Sequence, residues 1–122
     1  AMDKFNIKDS HPNISRLEKL FLEEGVLTKF KKNEYLVRQN EKTNQIGFIM
    51  SGMFRLSHID ADANEWIVGY SFVNDFVCDY PSFIKQATST VNIQATTECE
   101  VYLLSLNHVC RDIPTLIRLL LR

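Results

Sequence analysis

Hydrophobic positions change their period once along this chain, and the change marks its main division. From Asn13 to Glu24 the apolar residues Ile14, Leu17, Leu20 and Phe21 recur at helical spacing, which predicts a helix with one buried stripe. Gly25 ends it, and Ser10 or Asn13 caps its start with Pro12 in the first turn. After Gly25 the period shortens to two. The runs Leu27–Lys31, Glu34–Arg38, Ile46–Met50, Met53–Ile59, Val91–Thr96 and Cys99–Ser105 read as short strands, with Trp66, Val68, Tyr70 and Phe72 on a shared face of another. Ser51-Gly52 is expected to close a hairpin between the runs on either side, Asp60–Asn64 to form a second turn, and Thr97-Glu98 to join the last two runs as a pair. Short strands with tight turns behind a lone helix predict a mainly β fold, a jelly roll or barrel; periodicity alone does not choose the winding.

The ending turns helical again. Asn107–Asp112 predicts a helical turn, and Pro114 suits the first position of a further helix. Leu116, Ile117, Leu119, Leu120 and Leu121 cover more of that helix than one core-facing stripe needs, so a dimer mate is expected to cover the rest.

The stretch Val73–Ala95 sits at the centre of the pattern. A bend at Asn74-Asp75, a short helical interruption from Pro81 to Gln86 and an alternating strand at Val91, Ile93 and Ala95 enclose Asp79, Ser82, Thr88, Ser89 and Thr90. Polar groups converging on an apolar wall are a place to hold a small ligand.

Composition narrows the class. At 122 residues and 45% hydrophobic the chain suits one domain with one core. A formal charge of -1 gives no general attraction to nucleic acid or anionic membrane, and Lys29, Lys31 and Lys32 suit a solvated sheet edge. No apolar run reaches the roughly 20 residues that span a bilayer, and no signal-peptide pattern opens the chain, so a soluble cytoplasmic protein is expected. Ala1 before Met2 reads as a remnant of expression. Cys78, Cys99 and Cys110 are widely spaced and lack the C-x-x-C spacing of a zinc or redox site, which predicts reduced, mostly buried thiols.

Competing chemistry finds little support. Asp60, Asp62 and Asn64 mimic the start of a calcium loop, but Glu65 stands where the sharp turn needs Gly. His11, His58 and His108 are too scattered for a metal triad, and His58 is expected at the surface of a hairpin. Cys78 beside Asp79 pairs a thiol with a carboxylate that raises its pKa, so catalysis is not expected; the thiol is either a wall residue or an oxidant sensor at the mouth of the pocket. Trp66, Tyr70 and Phe72 lack interleaved Arg or Lys, which favours core packing over a platform for single-stranded nucleic acid.

The ordered set Lys32-Asn33-Glu34 with Leu36 and Gln39, Ile46 to Gly52, the Asp60–Asn64 hairpin and Asn74-Asp75-Phe76 resembles the cyclic-nucleotide-binding domain of Crp/Fnr-type bacterial transcription regulators, from about Leu27 to Arg122. The resemblance implies a double-stranded β-helix over residues 1–113, an N-terminal helix, and the start of a dimerisation helix over 114–122. It implies a homodimer that responds to a small-molecule effector and reaches DNA through a helix-turn-helix not contained in this chain. It places ligand contacts at Cys78, Asp79, Tyr80, Ser82, Ser89, Thr90 and Val91. In nucleotide-binding members the corner carries Gly-Glu and a later Arg-Ser or Arg-Thr-Ala; here those positions read Cys78-Asp79 and Ser89-Thr90-Val91. Loss of the phosphate-binding Arg removes a charge-assisted contact of about 1.5 to 3 kcal/mol, so cyclic AMP is expected to bind weakly or not at all. A degenerate sensor that only dimerises, or a cupin-like metalloenzyme, are the alternative readings.

Overall fold

The structure, a computed structural model, describes residues 6–7, 12–79, 82, 85 and 87–112. Helix α1 spans Pro12–Glu24 and buries Leu17, Leu20 and Phe21 of the predicted stripe, while the side chain of Ile14 lies outside the described ones. It ends as expected at Gly25, whose N–H donates to the Phe21 carbonyl at 2.9 Å.

Strands β1 (Asn6–Ile7), β2 (Val26–Phe30), β3 (Tyr35–Val37), β4 (Gln45–Ser51), β5 (Phe54–Ile59), β6 (Glu65–Ser71), β7 (Phe76–Val77), β8 (Asn92–Ala95) and β9 (Cys99–Ser105) precede a helix α2, Leu106–Asp112. They make two antiparallel sheets, one ordered β1-β7-β4-β9-β2 and the other β3-β8-β5-β6. This is the jelly roll, mainly β with a helix at each end of the described chain. The two-residue strand β1 lies outside the predicted runs, because two residues carry no period. Residues from 113 onward, with the expected Pro114 helix, lie outside the described residues.

Two expected hairpins are corrected. β4 belongs to the five-stranded sheet and β5 to the four-stranded one, so Ser51-Gly52 is a corner between sheets. The same holds at Thr97-Glu98, because β8 pairs with β3 and β5 whereas β9 pairs with β4 and β2. Both corners meet at Gly52, whose φ of +87° suits glycine and where a Cβ would collide with the Glu98 carbonyl oxygen and the Cys99 Sγ. The turn at Asp60–Asn64 is a true hairpin joining β5 to β6.

The shared aromatic face is also corrected. The β5–β6 register shifts between Leu56 and Ser57, so that Tyr70 opposes Arg55 while Trp66 opposes His58. Residues 55 and 58 differ in parity along β5, and a bulge at Val68 therefore turns Trp66 and Tyr70 to opposite faces of the sheet. None of the three aromatics is core: Trp66 is 60% exposed, Tyr70 40% and Phe72 47%. Tyr70 and Phe72 still meet at a centroid distance of 6.4 Å. The lysine-bearing strand β2 is an edge, as its composition predicted, and Lys29 and Lys31 are exposed.

Two clusters form the core. Leu17, Leu20 and Phe21 of α1 pack on Ile46, Phe48, Phe76, Cys78, Leu104, Leu106 and Val109. Phe76 stacks on Phe48 at 4.7 Å and meets Phe21 edge-on at 5.4 Å. The second cluster, including Val37, Ile49, Leu56, Val77, Val91, Ile93 and Val101, lies between the sheets. Adjacent residues of β7 thus serve different clusters, which anchors that strand from both sides.

Candidate functional site

The corner before β7 is built by backbone contacts. Asn74 adopts a left-handed φ of 72°, a conformation asparagine tolerates. Its N–H donates to the Ile49 carbonyl at 2.8 Å, and the Ile49 N–H donates to the Asp75 carbonyl at 3.1 Å. The Asp75 carboxylate accepts from the Phe72 N–H at 2.6 Å. This ties the corner to β4 and delivers Asp79, two residues past β7, into the interior.

Asp79 is completely buried. Its Oδ1 accepts from the Ser82 N–H at 3.2 Å. Its Oδ2 accepts from the Ser82 hydroxyl at 2.9 Å, the Ser89 hydroxyl at 2.8 Å, the Thr90 N–H at 2.9 Å and the Thr90 hydroxyl at 3.3 Å. These five donors are neutral, and they come from three residues on two separate pieces of chain. A buried carboxylate is costly unless hydrogen-bonded, and here the loop 87–91 and Ser82 are gathered around it. Ser89 is held further: its hydroxyl lies 2.8 Å from the Val91 carbonyl and accepts from the Val91 N–H at 3.2 Å. One hydroxyl hydrogen serves either the carboxylate or that carbonyl at any moment.

A second layer fixes the loop. The Ser89 N–H donates to the Glu41 carbonyl and the Asn40 N–H to the Ser89 carbonyl, both at 2.8 Å. His58 Nδ1 lies 2.8 Å from the Thr90 carbonyl, so this partly exposed ring on the β5–β6 hairpin also braces the loop. Gln39 clasps the Ile59 backbone with both ends of its amide, at 2.8 Å each, and its own N–H donates to Asn92 Oδ1.

Of the expected ligand residues, Asp79, Ser82, Ser89 and Thr90 come together. Thr88 from the same polar stretch is exposed and makes none of these contacts. Cys78 lies instead in the core beneath α1, and Val91 in the core between the sheets. Tyr80 lies outside the described residues. Burial, then the Asp79 charge and then Cys110 push the Cys78 thiol far above its ordinary range, the setting of an inert wall residue. Cys78, Cys99 and Cys110 are all free, and burial also raises the Cys110 thiol.

Sequence spacing gave no sign of His58 and Gln39 at the site, since their partners are 32 and 20 positions away. It also missed a meeting at the far side. His108 Nε2 lies 3.0 Å from Glu24 Oε1 and 3.3 Å from Asp112 Oδ2, linking the end of α1 to α2. These three atoms lie within 4.8 Å of one another, a spacing that would admit a metal ion. Arg111 Nη2 stands 3.4 Å from His108 Nδ1, which as a donor favours the tautomer with hydrogen on Nε2. That tautomer serves a hydrogen-bonded clamp, and ligation at Nε2 would require the other.

Similar folds carry regulatory names. A triple mutant of the regulatory subunit of a cAMP-independent protein kinase A from Trypanosoma brucei, with one threonine changed to arginine, is bound to cAMP in its A site. It matches with a TM-score of 0.70 at 21% identity over 78% of this chain and 35% of that one. The sensor domain of the transcriptional regulator DNR from Pseudomonas aeruginosa matches with a TM-score of 0.72 at 18% identity over 87% of this chain and 73% of that one. The c-di-GMP responsive global regulator CLP of Xanthomonas campestris matches with a TM-score of 0.71 at 21% identity over 87% of this chain and 54% of that one. This chain thus spans about a third of the kinase subunit and about half of CLP. No curated protein matches the chain. The sequence pattern of the cyclic nucleotide-binding domain covers residues 27–111, from β2 through nearly all of α2, and the chain belongs to that family.

Proposed function

We propose that this chain is the effector-sensing domain of a Crp/Fnr-type transcription regulator, cytoplasmic and regulatory, not catalytic, whose effector is not ordinary cyclic AMP. The single observation that carries the reading is the Asp79 carboxylate, buried and held by five neutral donors, with Ser89 where the family resemblance implies an arginine. An anionic cyclic phosphate entering here meets a fixed negative charge and no cation from Ser89. That the cAMP-bound trypanosome relative carries an introduced arginine supports the same reasoning. Among the described residues no helix is long and apolar enough to cross a membrane.

In this reading the effector favours one arrangement of the corner, and α2 carries that preference toward the residues beyond 112, where a second copy pairs and a DNA reader follows. Two of the similar structures are transcriptional or global regulators, which favours the regulator over the enzyme. Isothermal titration of the chain with cyclic AMP tests it. No micromolar binding is expected, and micromolar binding would overturn the reading.

A further inference from the structure

We infer that Glu24, His108 and Asp112 form a binding site for one divalent transition-metal ion, of the zinc class, that joins the end of α1 to α2. This site shares no residue with the corner at Asp79 and depends on no effector.

Glu24 follows Leu20 by four positions and Phe21 by three, so it continues the buried stripe of α1 at its last turn. On α2, His108 and Asp112 stand four apart and share one face. Leu106 and Val109, both fully buried, anchor that helix, and the His108 N–H donates to the Ser105 hydroxyl at 3.1 Å. Two packed elements thus bring three side chains to one point, with Glu24 and His108 separated by 84 positions in sequence. His108 Nε2 lies 3.0 Å from Glu24 Oε1 and 3.3 Å from Asp112 Oδ2. An ion about 2.1 Å from each of its ligands holds neighbouring ligand atoms about 3 to 3.4 Å apart, so both separations suit it as they stand. The two carboxylate oxygens lie within 4.8 Å of each other, and rotation of the half-exposed Glu24 side chain closes the remainder.

The single Nε2 hydrogen serves only one of the two acids fully at any moment, whereas a divalent ion engages both and cancels their mutual repulsion. One imidazole with two carboxylates suits a zinc-class ion over Mg2+ or Ca2+, which take oxygen ligands alone. Binding moves the imidazole hydrogen from Nε2 to Nδ1, so Arg111 must leave its 3.4 Å contact there. Its side chain is 71% exposed, and that departure costs little.

The test is titration of the chelator-treated chain with Zn2+, read by calorimetry. One equivalent is expected to bind with micromolar or tighter Kd and to survive millimolar Mg2+. At about a hundred times Kd the Tm is expected to rise by about 5 °C or more. His108→Ala and Glu24→Gln are each expected to weaken binding at least about tenfold and to remove most of the Tm rise. Glu24→Gln keeps the shape of the side chain, so it decides the matter if His108→Ala does not fold. Cys110→Ser is expected to leave the affinity unchanged. Absence of binding, displacement by Mg2+, binding indifferent to His108 and Glu24, or binding lost with Cys110 would each overturn the site. None of these results touches the sensor reading, which rests on cyclic AMP titration at the other site.

Discussion

The Ser89 hydroxyl lies 2.8 Å from Asp79 Oδ2, completing a buried carboxylate shell at the position where nucleotide-binding relatives are expected to carry an arginine. Serine here satisfies the acid by a neutral hydrogen bond, and a guanidinium would do so by charge. Ser89→Arg is therefore expected to tighten cyclic AMP binding at least about tenfold over the wild type, within the 1.5 to 3 kcal/mol of one charge-assisted contact. Calorimetry reads it, and an unchanged affinity would show that the missing cation is not what excludes the nucleotide.

Cys78 makes stability depend on alkaline pH. Burial first, and the Asp79 charge second, raise its folded pKa above the ordinary value of 9.0. A raised folded pKa means that the thiol's contribution is complete below the unfolded pKa and declines as pH rises past it, because only the unfolded thiol ionises. Above pH 9 the unfolding free energy of the wild type, read by urea denaturation, should fall with a slope of up to about 1.4 kcal/mol per pH unit from this residue. Cys78→Ala should lose that part of the slope. Iodoacetamide should modify half-buried Cys110 first, and Cys78 at least about a hundredfold more slowly than in the unfolded chain.

Gly52 is the point where two sheet-crossing corners touch. Gly52→Ala adds a Cβ at φ +87° against the Glu98 carbonyl oxygen and the Cys99 Cα, both main-chain atoms, as well as the Cys99 Sγ. A loss of about 2 kcal/mol or more is expected by urea denaturation. A neutral result would mean that the corner between β4 and β5 is looser than these contacts imply.

Asp60 organises the β5–β6 hairpin. Its Oδ2 accepts from Trp66 Nε1 at 2.9 Å, and its Oδ1 accepts from the Asp62 and Asn64 N–H groups at 2.9 and 3.0 Å. The Trp66 hydrogen bond, then that from the Asn64 backbone, hold its carboxyl below the ordinary 3.8. A lowered folded pKa contributes stability above the unfolded value that is lost as pH falls through the folded one. Trp66 fluorescence should therefore change as pH drops below about 3.8, and Asp60→Ala should abolish that transition while leaving the rest of the acid titration in place. The same contacts occupy the acid that sequence alone offered as a calcium ligand.

Much of this protein was legible in advance because its information is local. The α1 stripe of Leu17, Leu20 and Phe21, the punctuation at Gly25, the hairpin at Asp60–Asn64 and the polar cluster at Asp79, Ser82, Ser89 and Thr90 each follow from spacing over a few residues. Family membership followed from the order of such pieces. Tertiary structure alone decided that Ser51-Gly52 and Thr97-Glu98 cross between sheets, that the Val68 bulge separates Trp66 from Tyr70, and that His58 and Gln39 brace the loop beside Asp79. A period of two states that side chains alternate but not which strand lies alongside, and that choice is made by burial between two sheets. The local pattern thus located the acid, and the packing around it determined that its oxygens are already hydrogen-bonded from within.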